Sequence, residues 1–431
     1  MKKYTTLVLI TLLLTLVLFN NFSFAESEVN VYSGNYIMIE ATTGKTVCEN
    51  GADEVLYPAS TTKIMTAIIT LENCNLTDIA TVSHNAIFSV PVGYSHAMLV
   101  EGEKLTIDQL LHLLLIPSAN DAAIVLAEHI AGSVDSFSTM MNTKALELGC
   151  TNTHFVNPNG IHADDHYTTP RDLAIMARYA MKNETFRKIV TTTKYTLPAT
   201  NLYPESDRYF KNTNELVVPD ERDAVDNYYY QYATGIKTGY TNPAGECLVA
   251  SAKKDDKEFI IVILASGRTE NGLSERFIDS KTLFDYAFNN YKTQNLNNEN
   301  ALLKEVEISN ANIFNKKLDV LIQDKIDVLI KNNQDLNNIT PTIEFTSNLE
   351  APIIKNSVIG TITYKVNGNT YTSNLLAGED ITESTFMSNL LTTVSIILVV
   401  FLIFKLMKYN NKKKRKKSKR KIKEKSDYMY W

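Results

Sequence analysis

Residues 57–66 have the sequence Tyr-Pro-Ala-Ser-Thr-Thr-Lys-Ile-Met-Thr, in which Ser60 and Lys63 are three positions apart. It leads into a predicted helix over residues 61–71. Because residues three apart lie on one face of a helix, the Ser60 hydroxyl and the Lys63 amine can touch. A neutral lysine could then take the serine proton, provided that desolvation and a second cation lower its pKa. Alone, Ser-x-x-Lys is a weak signal, and an ordinary surface helix turn also explains it.

Two further short motifs follow in the chain, Ser118-Ala119-Asn120 and Lys237-Thr238-Gly239. In the first, a hydroxyl can relay a proton and an amide can hold a substrate carbonyl, but Ser and Asn are also common helix N-caps. In the second, a cation and a hydroxyl donor precede a glycine that lets substrate backbone approach. A turn is the alternative there. Neither motif is decisive by itself.

In this order the three motifs resemble those of the penicillin-recognising serine acyl-enzymes. Their surroundings resemble the D-alanyl-D-alanine carboxypeptidases among the low-molecular-mass penicillin-binding proteins. The stretches that carry this resemblance are residues 57–66, 118–123, 155–162 and 235–241. It is close over residues 30–290 and looser beyond, where Ala351-Pro352-Ile353 and Gly360 carry it.

The resemblance implies roles for individual residues. Ser60 would be the nucleophile, Lys63 its base, and Ser118 an assistant in proton transfer. The residues implied to bind substrate are Asn120, Lys237, Thr238, Gly239, Tyr240 and Arg276. The backbone N–H groups of Ser60 and Tyr240 would form the oxyanion hole, and Lys237 would help to lower the pKa of Lys63.

The family also uses an arginine to hold the terminal carboxylate of the substrate, a task that suits a planar fork of donors. Arg276 is the best match. Arg268 is the competitor, because the loop between them differs in length from the family pattern.

The fold class implied is α/β (α+β), a penicillin-recognising serine transpeptidase/β-lactamase-like domain with an antiparallel sheet flanked by helices and a helical subdomain. The hydrophobic pattern predicts strands at 35–40, 45–48, 245–251 and 259–265. It predicts helices at 106–115, 121–131, 170–182 and 280–291. Thr169, Pro170 and Asp172 form a helix start. The sheet should be completed by both ends of this domain, residues 30–292.

A second, small all-β domain is predicted at residues 301–380. Its strand patterns lie at 317–322, 325–330 and 358–366. The Asn-rich residues 293–300 are interpreted as a linker between the two domains.

The two ends of the chain predict its location. Residues 1–25 have the basic, apolar and small-residue regions of a signal peptide, with an uncleaved anchor as the alternative. Residues 384–404 carry no charge and predict a transmembrane helix. Residues 405–431 form a basic tail, which should stay cytoplasmic while the catalytic domain lies outside the cell membrane. Anionic lipid headgroups are its expected contact.

The charge distribution argues against a polyanionic partner for the exterior part. The chain has a net charge of −5, and residues 405–427 contain 13 Lys/Arg against 2 Asp/Glu. The exterior part is therefore strongly acidic, which argues against nucleic acid as a partner.

No metal or other cofactor is expected. The cysteines lack a Cys-x-x-Cys spacing, and mostly buried free thiols are predicted at Cys48, Cys74, Cys150 and Cys247. His162 and His166 lie near two aspartates, where a metal site is conceivable. A structural or solvated role is the better interpretation.

The predicted activity is removal of the terminal D-Ala from peptidoglycan stem pentapeptides through a Ser60 acyl-enzyme, with β-lactams as inhibitors. One rival is a β-lactamase of the same fold. However, Ala119 stands where class A enzymes usually have Asp, and no convincing Glu-x-x-Leu-Asn segment occurs between the second and third motifs. The other rival is a membrane-tethered sensor of muropeptides or β-lactams that has no catalytic activity.

Overall fold

The computed structural model describes residues 29–205, 207–219, 227–312, 314–336, 339–346, 348–384 and 386–427. The predicted signal peptide at residues 1–25 lies outside the described residues. The chain divides into two compact units, Met1–Lys292 and Thr293–Trp431.

A five-stranded antiparallel sheet forms the centre of the first unit. The strands of this unit are β1 (Asn35–Glu40), β2 (Thr46–Asn50), β3 (Ile79–Thr81), β4 (Lys104–Thr106), β5 (Lys194–Leu197), β6 (Arg208–Lys211), β7 (Ala233–Thr241), β8 (Gly245–Lys254) and β9 (Lys257–Ser266). The sheet order is β2-β1-β9-β8-β7. The first and last strands of the unit are thus neighbours, which confirms the prediction that both ends of the domain complete one sheet. β7 lies at an edge.

Eight helices belong to the described part of this unit. They are α1 (Lys63–Asn73), α2 (His84–Phe88), α3 (Ile107–Leu115), α4 (Asn120–Ala131), α5 (Val134–Glu147), α6 (Pro170–Ala180), α7 (Glu184–Thr191) and α8 (Glu275–Asn290). A 3₁₀ turn, Ala59–Thr62, precedes α1. Apolar side chains of α1, α3 and α4 are fully buried in one core that continues into the sheet. Because α1 is buried on most sides, its first residue, Lys63, is buried as well.

The start of α6 follows its local sequence signals, whereas the start of α8 does not. The Thr169 hydroxyl accepts a hydrogen bond from the Asp172 backbone N–H, and Pro170 occupies the first turn of α6, as predicted. α8 begins at Glu275, five residues earlier than the predicted start.

The second unit is β-rich. Its strands are β10 (Tyr291–Asn297), β11 (Leu302–Glu307), β12 (Lys317–Ile322), β13 (Ile326–Lys331), β14 (Thr342–Phe345), β15 (Val358–Val366) and β16 (Asn369–Ala377). Five of them form a sheet in the order β11-β12-β16-β15-β14, and β10 pairs with β13. The predicted linker is therefore wrong over residues 293–297. Leu296 packs against the core of this unit, and the Asn295 amide donates to Asp327 at 2.9 Å. These contacts between distant residues hold the Asn-rich stretch as a strand.

Helix α9 (Phe386–Asp427) ends the described chain. Within it, the segment Leu390–Lys421 contains an 18-residue stretch apolar enough to cross a membrane, with a mean hydropathy of 2.6, and none of that stretch is buried. No other described helix meets the same criterion.

All four cysteines are free. Cys150 and Cys247 are buried as predicted, whereas Cys48 and Cys74 are only partly buried.

Candidate active site

Ser60 and Lys63 are brought together where the 3₁₀ turn becomes α1. The Lys63 Nζ atom lies 2.9 Å from the Ser60 Oγ atom. It also lies 2.8 Å from the Asn120 Oδ1 atom and 2.7 Å from the Asn159 carbonyl oxygen. A neutral amine has two donors, which suit the two carbonyl oxygens, and a lone pair that can accept the Ser60 proton. The predicted contact between hydroxyl and amine is present.

The surroundings of Lys63 favour that neutral amine. Burial lowers its pKa well below the usual value, and the positive charge of Lys237 lowers it further, while Asp121 partly opposes both. A lysine that is neutral near pH 7 can act as a general base.

The second motif lies in the loop between α3 and α4. Ser118 has a φ of +65°, a strained conformation of the kind found at functional sites. Its Oγ atom is buried and has no hydrogen-bond partner among the described residues. The N-cap of α4 is Ala119, which provides no side-chain cap. Helix capping therefore does not explain Ser118 or Asn120, and the Asn120 Nδ2 group instead donates to the Ser95 carbonyl at 2.8 Å.

The third motif lies on the edge strand β7. Lys237 is buried, and burial followed by the charge of Arg276 lowers its pKa to about 7. Thr238 Oγ1 lies 2.6 Å from Thr213 Oγ1. A Cβ added to Gly239 would lie 3.0 Å from the Ser60 backbone nitrogen. A side chain here would crowd the backbone of the Ser60 turn, so glycine allows β7 to lie close to that turn.

One cleft of about 670 Å³ joins these elements. The predicted site residues that line it are Ser60, Ser118, Asn120, Thr238, Gly239, Tyr240 and Arg276. Lys63 and Lys237 lie beneath this surface, fully buried. Residues from three distant parts of the sequence thus face one space large enough for a short peptide.

The two candidate arginines are placed differently. Arg276 lines the cleft, and its Nη1 group donates to the Gly239 carbonyl at 2.8 Å and the Cys247 carbonyl at 3.0 Å. The Arg268 side chain is 59% exposed and lines an adjacent cavity. The geometry therefore favours Arg276 as the carboxylate clamp.

The two histidines differ as well. His166 is buried, with its Nε2 atom 2.7 Å from the Thr62 hydroxyl, and burial lowers its pKa to about 3. It is a neutral structural residue behind the Ser60 turn. His162 lines the cleft and packs edge-on against Tyr57, with ring centroids 4.6 Å apart. A solvated role does not describe His162.

Sequence reasoning missed three contributors to this site. The Asn159 carbonyl is a backbone group, so no pattern of residue types predicts its contact with Lys63. Thr213 lies in a loop without a motif. Glu246 had a usable signal, since it is a charged residue in the otherwise apolar run of β8 and must therefore have partners.

A serine hydroxyl beside a buried lysine amine, at the floor of a cleft with further cations, is the arrangement that a serine hydrolase of the acyl-enzyme class needs. The chain belongs to the D-alanyl-D-alanine carboxypeptidase family, which matches residues 22–267. Residues 291–383 match the C-terminal domain of penicillin-binding protein 5.

Individual proteins agree with this assignment. The chain is 32% identical over 376 residues to "D-alanyl-D-alanine carboxypeptidase DacF" of Bacillus subtilis, covering 85% of this chain and 90% of that protein. The solved DD-transpeptidase of Streptomyces K15 is 35% identical, with a TM-score of 0.54, over 61% of this chain and 99% of that one. Penicillin-binding protein 5 of Haemophilus influenzae shares the fold, with a TM-score of 0.67 and 24% identity over 83% of this chain and 99% of that one. The predicted family and fold class are confirmed.

Proposed function

We propose that this protein is a serine-type D-alanyl-D-alanine carboxypeptidase that removes the terminal D-Ala from peptidoglycan stem pentapeptides. The observation that carries the proposal is the 2.9 Å contact between Lys63 Nζ and Ser60 Oγ at the floor of the cleft. The family match gives the substrate class, and the site geometry supports the role of each residue.

Substrate binding begins at the terminal carboxylate. Arg276 and Lys237 supply positive charge, and the Thr238 hydroxyl supplies a donor. The Asn120 amide is placed to hold the peptide. These contacts bring the penultimate D-Ala carbonyl over Ser60, so the carbonyl and the nucleophile meet in the correct orientation.

Acylation follows from the neutral Lys63. Ser60 Oγ attacks the carbonyl carbon while its proton passes to Lys63 Nζ. The backbone N–H groups of Ser60 and Tyr240 stabilise the oxyanion. The C–N bond then breaks, and the D-Ala amine leaves with a proton delivered from Lys63 through Ser118. Water, deprotonated by the same lysine, hydrolyses the ester and restores the Ser60 hydroxyl. A β-lactam carbonyl would acylate Ser60 in the same way and remain attached.

The alternative of a β-lactamase has less support. Class A enzymes activate the deacylating water with a glutamate. No Asp or Glu lines the cleft in the described part of the chain, so an acyl-enzyme formed from a β-lactam has no such carboxylate beside it. The complete set of catalytic residues argues against a sensor without activity.

We also propose the arrangement of the chain at the membrane. The catalytic domain (residues 30–292) and β-rich domain (301–380) would lie outside the cell membrane, after export by the signal peptide at residues 1–25. Residues 384–404 would span the membrane once, and the basic tail 405–431 would remain cytoplasmic against anionic lipid. The apolar helix found within Leu390–Lys421 supports this anchor.

The test is release of D-Ala from a D-Ala-D-Ala peptide by the purified full-length protein in detergent. We expect release by the native protein and a loss of at least about a thousandfold in Ser60→Ala, because the covalent route is removed. Equal release by both proteins would refute Ser60 as nucleophile. Penicillin binding without D-Ala release would favour the sensor, and rapid hydrolysis of a chromogenic cephalosporin would favour the β-lactamase.

A further inference from the structure

Glu246 is a buried carboxylate beside the cleft. It lies at the start of β8, and its side chain is only 5% exposed. The residues that follow it on the strand, Cys247 to Ala250, are apolar and fully buried. A charged group in such a place is costly unless it is paired, so its partners indicate what it does.

Both carboxylate oxygens of Glu246 have polar partners. Oε1 lies 2.6 Å from the Arg268 Nη2 atom. Oε2 accepts a hydrogen bond from the Ser274 hydroxyl and lies 3.5 Å from the Arg276 Nε atom. Glu246 therefore sits between the exposed arginine and the arginine of the cleft, and Ser274 fixes its orientation.

Arg276 has one edge held by protein and another edge available. Nη1 donates to the carbonyls of Gly239 and Cys247. Nε is buried next to the Glu246 carboxylate, without a hydrogen bond of its own in the described structure. Nη2 has no protein partner among the described residues, so it can donate to a ligand. Glu246 is thus the counter-ion that the buried Arg276 guanidinium needs when no anionic substrate is bound.

We propose that Glu246 is a positioning residue for recognition of the substrate carboxylate, acting through Arg276. It balances the charge of Arg276 and holds the guanidinium so that its free edge meets the terminal carboxylate. The inference rests on the proposed function, since it concerns the D-Ala carboxylate of that substrate.

The chemistry of an amide makes this role testable. Glutamine has the shape of glutamate but only one acceptor oxygen. It cannot accept from Arg268 on one side and serve Ser274 and Arg276 on the other. Glu246→Gln therefore turns a donor group towards one of the arginines and removes the counter-charge of Arg276.

The matched control is Glu258→Gln. Glu258 is also a buried, arginine-paired glutamate on the central sheet, in β9, and accepts from Arg187 at 2.7 and 3.1 Å. It does not line the cleft. The same chemical change there costs an ion pair without touching Arg276.

The measurement is kcat/KM for a D-Ala-D-Ala peptide and for the same peptide ending in a carboxamide, using full-length native protein, E246Q and E258Q. We expect the preference for the free carboxylate to fall about tenfold in E246Q, mainly through KM, since a charge-assisted contact is weakened. E258Q should keep the native preference. Because the ratio is taken within each variant, a loss of folded protein does not change it.

An equal preference in E246Q and E258Q would overturn the inference while leaving the proposed function intact. If the native protein released no D-Ala from either peptide, the proposed function would fail and the inference with it. Should E246Q yield no folded protein, Ser274→Ala provides the test. It removes the hydroxyl that orients the carboxylate, and an unchanged preference in that variant would equally overturn the inference.

Discussion

At the residue scale, the chemistry depends on two buried lysines with different tasks. Burial lowers the pKa of Lys63 well below its usual value, and the positive charge of Lys237 adds to that effect. Lys237 has a pKa of about 7 and is charged only below it. The charged Lys237 that assists Arg276 in binding the substrate carboxylate and a neutral Lys63 that serves Ser60 are thus present together only within a limited range of pH.

We therefore predict a bell-shaped pH dependence of kcat/KM, which reports groups of the free enzyme. Activity should be lost at low pH as Lys63 becomes protonated. It should also fall above about pH 7, because Lys237 loses its charge as pH rises through its pKa. In Lys237→Arg the cation persists, so the alkaline fall should move to higher pH even if the maximum is lower. An alkaline limb at the same pH in both proteins would contradict this assignment.

The sequence predicted the catalytic side chains better than the groups that hold them in place. The spacing of Ser60 and Lys63 requires only one helical turn, so their contact is a local property. The approach of Lys237 is not local, and the order of motifs in a known family was needed to expect it. The Asn159 carbonyl at 2.7 Å from Lys63 could not be expected at all, since every residue has a carbonyl.

At the element scale, the Ser60 turn is held between β7 and the loop of residues 155–162. A Cβ added to Gly160 would lie 1.9 Å from the Ala59 carbonyl oxygen, and Gly160 has a φ of +79°. Gly149 also has a positive φ, +84°, but a Cβ there would meet nothing within 4 Å. Substitutions at the two glycines therefore distinguish the effect of a positive φ alone from the effect of a steric clash with the Ser60 turn.

Gly160→Ala should displace the Ser60 turn and slow acylation by labelled penicillin about a hundredfold or more, because small misplacement of a nucleophile is costly. Gly149→Ala should lose only about 1–2 kcal/mol of stability from its φ and acylate at the native rate. The measurement is the acylation rate per folded molecule in each variant, with folding checked by circular dichroism. Similar rates in the two variants would show that the loop does not set the geometry of the turn.

Helix α6 and strand β10 show which elements a local sequence pattern can predict. Thr169, Pro170 and Asp172 act within one helical turn, so the start of α6 could be predicted from sequence. β10 could not, because its asparagines resemble a linker and only pairing with β13 makes the stretch a strand. Strand pairing between distant residues is not visible in a local pattern.

At the scale of the whole molecule, two separate hydrophobic cores account for two compact units. The catalytic residues all come from the first unit. The apolar helix lies at the other end of the chain. Catalysis and membrane attachment should therefore be separable by truncation.

We predict that a chain ending at Ser384, expressed with its own N-terminus, is recovered in the soluble fraction rather than with membranes. Its kcat/KM for a soluble D-Ala-D-Ala peptide should stay within about twofold of the full-length value, since the catalytic residues all belong to the first unit and the removed helix belongs to the second. Fractionation by centrifugation and a D-Ala assay measure both properties. Continued sedimentation with membranes would show that another part of the chain binds them.

The central claim is that Ser60, activated by Lys63, forms the covalent intermediate. The most direct measurement is mass spectrometry of the protein after brief exposure to benzylpenicillin, with the modified peptide identified by proteolysis. We predict one added penicilloyl group on the peptide that contains Ser60, and none in Ser60→Ala. A stable adduct on any other residue, or an unchanged adduct in Ser60→Ala, would contradict the account.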